Sequence, residues 1–202
     1  MFDSLTHCEV RLPIFVLMSL EVKNTSIEGL YLVRPRRFSD DRGYFSETFS
    51  RRDFASATGY DVEFVQDNES LSKSGVVRGL HFQVPPKPMG KLVRVVSGCI
   101  IDVAVDLRVG SPTYGKHEAV KLDAIEGWQL YVPDGFAHGF SVLEEGTKVA
   151  YKCTEYYAPD YEQSIKWDDA DLQIDWGVEN AVVSEKDSQA PSFRDFKSPF
   201  CG

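Results

Sequence analysis

Residues able to do chemistry are few and scattered. Four histidines, His7, His81, His117 and His138, are spread over 202 residues. A metal-binding barrel would cluster its ligands, as in an HxH pair followed by a carboxylate. Neither His81 nor His138 has another histidine within three residues, so the spacing does not point to a metal. The serine-nucleophile pattern GxSxG, the phosphate-cradling GxxxxGK(S/T) loop and the dinucleotide-binding GxGxxG are absent from the sequence. The strip Arg78-Gly79-Leu80-His81-Phe82-Gln83 is more informative. In a regular strand, residues 78 and 81 have opposite parity and face opposite sides of the sheet. A bulge at Gly79 would turn both to one face. Taken alone, His81 could be a core histidine with its nitrogens satisfied. Beside Arg78 and Lys91 the neutral imidazole is favoured, which suits a general base near neutral pH. Tyr151 shares an apolar face with Val149 and Cys153, and spacing alone reads it as a core tyrosine. Gly135-Phe136-Ala137-His138-Gly139-Phe140 could be a tight turn or a pocket wall, and spacing does not choose.

These side chains have to be held by strands. Short β-branched and aromatic runs at 29–33, 62–65, 76–83, 91–96, 100–106, 128–132, 140–143 and 149–156 read as strands. Turn signals separate them, among them Asp41-Arg42-Gly43, Ser97-Gly98, Gly110-Ser111-Pro112 and Pro133-Asp134-Gly135. One short helix is expected, opened by the capping box Ser50-Arg51-Arg52-Asp53 and closed by Gly59. Many short strands with regular turns predict an all-β antiparallel jelly-roll barrel with short peripheral helices. The repeated helical crossovers of a parallel α/β fold are missing. Residues 18–190 read as a single domain, preceded by an arm or upstream-start extension (1–17) and followed by a tail (191–202). Within the polar stretch from Asp160, Trp167 and Trp176 are the expected anchors against the body.

The overall charge narrows the partners. Lys plus Arg number 22 against 31 Asp plus Glu, giving a net charge of −9. Nucleic acid and anionic membranes are disfavoured, since both require a basic face. The average hides a contrast: residues 70–101 contain no acid but carry Lys73, Arg78, Lys87, Lys91 and Arg94. Cys8, Cys99, Cys153 and Cys201 form no CxxC pair and read as reduced, mostly buried thiols. The apolar run 12–20 falls well short of the roughly 20 residues of a membrane span and is followed by no small-x-small cleavage signature. Cytoplasm is the expected compartment.

Several blocks, in order, resemble one family. Asp41-Arg42-Gly43-Tyr44-Phe45, Gln66-Asp67-Asn68, Val77-Arg78-Gly79-Leu80-His81-Phe82-Gln83 and Gly90-Lys91-Leu92-Val93-Arg94 are similar to the dTDP-4-dehydrorhamnose 3,5-epimerase family. So are Pro133-Asp134-Gly135-Phe136-Ala137-His138-Gly139-Phe140, Tyr151-Lys152-Cys153-Thr154-Glu155-Tyr156-Tyr157-Ala158-Pro159 and the late Ser184-Glu185-Lys186-Asp187. The resemblance runs from about residue 27 to 187. It implies a cupin-type jelly roll acting as a homodimer with neither metal nor organic cofactor. The implied substrate is a dTDP-linked 4-keto-6-deoxy sugar, epimerised at C3 and C5 on the way to dTDP-L-rhamnose. By resemblance His81 is the base, Asp187 its supporting carboxylate, Tyr151 the acid on the opposite face, and Lys91, with Arg78 nearby, the cation for the enolate. Gln66, Asp67 and Asn68 would contact the base or sugar, and Tyr157 would stack on thymine. His138, Glu162 and Lys186 would line the site, while Arg42 and Glu47 would reach the nucleotide across the dimer interface. The loop Val84-Pro85-Pro86-Lys87-Pro88-Met89 is less polar than the family's usual one. Alternatives are a mono-epimerase or ketoisomerase on a related dTDP-4-keto sugar, and a non-catalytic sugar-nucleotide-binding module. A metal cupin oxygenase is a further alternative.

Overall fold

A computed structural model describes residues 20–201. The expected arm over 1–17, with His7 and Cys8, lies outside them. In chain order the strands are β1 (Leu20–Asn24), β2 (Tyr31–Pro35), β3 (Phe38–Asp40) and β4 (Gly43–Phe45), followed by helix α1 (Arg51–Thr58). Then come β5 (Gln66–Ser72), β6 (Val77–Gln83), β7 (Lys91–Ser97), β8 (Cys99–Asp106), β9 (His117–Asp123) and β10 (Gln129–Val132). The chain closes with β11 (Phe136–Val142), β12 (Thr147–Cys153), β13 (Glu162–Ser164) and the single-turn helix α2 (Glu185–Ser188). Among the described residues no helix is long and apolar enough to cross a membrane.

Two antiparallel sheets face each other in the jelly-roll manner, one ordered β1-β2-β10-β7-β12-β5 and the other β13-β6-β11-β8-β9. Alternation along each strand divides the apolar side chains among three layers. Val93, Val95, Ile100, Leu122, Leu130, Phe136 and Val149 fill the space between the sheets. Phe54 of α1 packs with Val33, Leu92 and Tyr131 on the outer face of the six-stranded sheet. The outer face of the other sheet (Val77, Leu80, Phe82, Val103, Val105) lies under Ile165, Leu172, Trp176 and Phe200. The tail over 191–201 therefore packs against the body through Phe193, Phe196 and Phe200. Trp176 is buried and its indole N–H donates to the Trp167 carbonyl at 2.8 Å, so both tryptophans anchor this segment. Each fully buried Leu, Ile or Val contributes roughly 1.5–3 kcal/mol, which makes the central layer the main source of stability.

The helix forms as its end signals dictate. The Ser50 hydroxyl accepts from the Asp53 amide, and Gly59 closes α1 at φ +80°, a conformation that costs glycine little. One strand falls elsewhere than its pattern suggests. Residues 62–65 are irregular and contribute Val62 and Phe64 to the layer around Phe54, while the strand is the following Gln66–Ser72. Its inward residues, Gln66, Asn68, Ser70 and Ser72, are polar. Gln66, Asn68 and Ser70 line a cavity and not the core, so the apolar alternation that marks a half-buried strand is missing. Of the described cysteines, Cys99 and Cys153 are buried thiols and Cys201 is exposed.

Candidate active site

Two adjoining cavities, each of about 510 Å³, are lined by residues of both sheets. Both are bounded by His81, Lys91 and Tyr151, so the three residues stand where the cavities join. His81 comes from the five-stranded sheet, Lys91 and Tyr151 from the other. The first cavity continues past Arg78, His138, Lys186 and Asp187, the second past Gln66, Asn68, Met89, Tyr157 and Glu162.

Arg78 and His81 reach the same space because β6 is bulged. Opposite β11, His81 pairs with His138 and Arg78 with Phe140, so three steps on one strand match two on the other. Gly79 makes the bulge possible. Its φ is +132°, and a Cβ there would lie 2.5 Å from the Gly139 Cα and 2.9 Å from the His138 carbonyl oxygen. No other residue fits so close a backbone crossing.

His81 is held from across the chain. Its Nε2 lies 2.6 Å from Asp187 Oδ1, while Asp187 Oδ2 accepts from the Gly79 amide at 3.4 Å. A proton on Nε2 then faces the carboxylate and leaves the Nδ1 lone pair as the basic position. Asp187 is delivered by α2, where the Ser184 hydroxyl accepts from the Asp187 amide at 3.1 Å. The segment before it is tied to β6 by a parallel bridge between Val76 and Val182. Burial works to raise the Asp187 pKa, but His81, the Gly79 amide and Ser184 outweigh it and hold the carboxyl below its ordinary range.

A second imidazole–carboxylate pair stands behind the first. His138 Nε2 lies 2.8 Å from Asp102 Oδ1, both residues buried. Burial lowers the His138 pKa against the pull of Asp102, and Lys91 lowers it further, so the neutral form is favoured. Burial likewise lowers the Lys91 pKa, opposed by Cys153, Asp102 and Glu162. The Lys91 ammonium stands 6.0 Å from the centre of the Tyr151 ring. Burial and Cys153 raise the Tyr151 pKa, against Arg78 and a hydrogen bond with Asn68, so the phenol keeps its proton at neutral pH. A donor hydroxyl on one wall therefore faces an imidazole on the other.

The second, outer cavity, where Tyr157 is exposed, is organised around Glu162, whose carboxylate accepts from the Tyr157 hydroxyl at 2.8 Å and from Lys186. Gln66 accepts from the Tyr157 amide and donates to Asn68, each at 3.0 Å. Asp67 borders the cavity, but its carboxylate is engaged by Lys152 at 2.9 Å, as alternation along β5 requires. Arg42 and Glu47 line neither cavity. Arg42 closes the β3–β4 turn against Asp40, and Glu47 lies exposed just before α1. The acid-free window supplies two cations, Arg78 and Lys91; Arg94 faces the groove on the other side of its sheet, and Lys87 pairs with Glu155. The departing loop places Met89 in the cavity beside Phe82 and Tyr157.

Two contributors escaped sequence reasoning. Asp102 is an acid between Ile101 and Val103 in the middle of Cys99–Asp106, and a buried acid of that kind requires a partner. Gln83 is buried and donates to the Lys87 and Tyr156 carbonyls while accepting from the Ala158 amide, which fixes the segment bearing Tyr157. Among the described residues no group of three or more His, Cys, Asp or Glu is placed to hold a metal ion.

The family profile described as dTDP-4-dehydrorhamnose 3,5-epimerase matches residues 24–195. The curated dTDP-4-dehydrorhamnose 3,5-epimerase of Methanothermobacter thermautotrophicus is 51% identical over 166 residues, covering 81% of this chain and 89% of the relative. The crystal structure of a dTDP-6-deoxy-D-glucose-3,5-epimerase from Legionella pneumophila, in complex with dTDP-4-keto-L-rhamnose, superposes with a TM-score of 0.85 at 42% identity, covering 88% of this chain and 95% of that one. A 3'-monoepimerase from Streptomyces bikiniensis in complex with dTDP-quinovose superposes with a TM-score of 0.78 at 36% identity, covering 84% and 86%.

Proposed function

Because the chain belongs to the dTDP-4-dehydrorhamnose 3,5-epimerase family, we propose that it converts dTDP-4-dehydro-6-deoxy-D-glucose into dTDP-4-dehydro-L-rhamnose. Such an enzyme is an isomerase, and its chemistry is two proton exchanges. The C4 ketone acidifies the protons on C3 and C5; removing either one gives an enolate, and reprotonation from the other face inverts the carbon. His81 takes the proton through its free ring nitrogen, with Asp187 orienting the imidazole and balancing its charge. Lys91 and the neighbouring Arg78 stabilise the enolate oxygen. Tyr151 returns a proton from the opposite side. The observation that carries this reading is the origin of His81 and Tyr151 in opposite sheets, bordering the same two cavities.

The nucleotide is assigned to the outer cavity, where Tyr157 offers an exposed ring to the base and Gln66 and Asn68 offer amide groups. His138, Glu162 and Lys186 complete the lining of the site. We further propose a homodimer in which Arg42 and Glu47 of each protomer complete the other's site. The β3–β4 hairpin supports this, since it exposes Phe38, Tyr44 and Phe45 beside Arg42. The free thiols support placing the protein in the cytoplasm.

Incubation with dTDP-4-keto-6-deoxyglucose in D2O is the decisive experiment. Deuterium at both C3 and C5 is expected. Incorporation at one position alone would replace this reading with a mono-epimerase, the activity of the Streptomyces bikiniensis relative. No exchange would leave a binding module.

A further inference from the structure

Three inward-facing polar residues follow one another along β5: Asn68, Ser70 and Ser72. Asn68 is engaged by Gln66 and by the Cys153 sulfur, and it sits directly across from Tyr151. The Ser72 hydroxyl accepts from Arg78 Nε at 3.1 Å. The Ser70 hydroxyl between them has no partner. Among the described residues only two buried side-chain polar atoms lack a hydrogen-bond partner, Ser70 Oγ and Asp102 Oδ2. Asp102 lies behind His138 and does not line the cavity, whereas Ser70 does, together with Arg78, His81 and Tyr151. A hydroxyl shut away without a partner is costly to the empty fold, so its retention calls for a partner that arrives from outside.

We propose that Ser70 is a further substrate-contacting residue, whose hydroxyl hydrogen-bonds a ring hydroxyl of the bound keto-sugar. This rests on the keto-sugar reading of the site. The position fits a sugar ring better than a nucleotide. Ser70 borders only the cavity that His138 and Asp187 line, whereas Gln66, Tyr157 and Glu162 border only the other. The partner fits a neutral hydroxyl, because serine can donate and accept at once and brings no charge of its own.

The test compares wild type with Ser70→Ala on three substrates: dTDP-4-keto-6-deoxyglucose and its analogues lacking the ring hydroxyl at C2 or at C3. Deuterium uptake at C5 is the readout, since all three retain that proton. On the parent sugar, Ser70→Ala should lower kcat/KM roughly tenfold. On one deoxy analogue, already slow with wild type, it should cause no further loss. The melting temperature should not fall, because Oγ holds no protein partner, and affinity for dTDP alone should be unchanged. Equal losses on all three substrates, no loss on the parent, or weakened dTDP binding would overturn the assignment. Failure of the keto-sugar reading looks different, since wild type itself would then take up no deuterium.

Discussion

Strand β8 carries two buried carboxylates on the same inward face, Asp102 midway along it and Asp106 at its end, four residues apart and both fully shielded from solvent. Asp106 is saturated. Arg108 donates to it through Nε and Nη2, its amide adds a third bond, and the Ser111 and Thr113 hydroxyls supply two more. Burial alone would raise the Asp106 pKa, but these donors bring it down to about 2. Asp102 has one partner, His138, and an oxygen with none. In the cavity that His138 borders, the Ser70 hydroxyl is unpartnered as well. Around Asp106 the fold uses its polar groups on itself, whereas in the cavity the Ser70 hydroxyl leaves hydrogen-bonding capacity open to a ligand. Substitutions around Asp106 should therefore damage stability, and substitutions at the cavity should damage rate.

Three measurements probe that contrast. His81→Ala should slow deuterium exchange at C3 and C5 by about 10³-fold, the size of a lost general base, while dTDP binding measured by calorimetry stays near wild type. Exchange surviving that change would remove His81 from its role. Asp187→Asn should cost about 10²-fold at both carbons with dTDP binding unchanged, because the imidazole loses the partner that orients it. A rate near wild type would reduce Asp187 to a structural bond.

Asp106→Asn should leave kcat untouched yet destabilise the fold by about 2–3 kcal/mol at neutral pH, read from urea midpoints. The pH dependence has a definite sign. A carboxyl whose folded pKa is depressed from 3.8 to about 2 stabilises above the upper value. That contribution, about 2 kcal/mol, fades as the pH falls from near 4 through 2, so the gap between wild type and Asp106→Asn should narrow over the same window. A gap independent of pH would mean that packing, and not charge, makes this end rigid.

Much of the site was legible as chemistry and little of it as geometry. Tyr151 shows why. Its strand reads as apolar alternation, and spacing alone left it a core tyrosine. Only its placement on the sheet opposite His81 makes it an acid facing a base. Polar β5 carried no strand signal, because the face it turns inward borders a cavity. Arg42 and Glu47 stand away from the cavities of their own chain, so a single chain gives them no geometry to read.

From the sequence alone came the helix cap at Ser50, the antiparallel strands with their turns, the glycine needed to bulge β6 and the ordered blocks that mark the family. All of these depend on neighbours within a few residues, where periodicity and backbone preference act directly. The tertiary structure alone decided that Asp187 meets His81 from 106 positions away, that Asp102 backs His138, and that Ser70 is left without a partner. Those pairings depend on strand register and on where a distant segment docks, and no local preference encodes either.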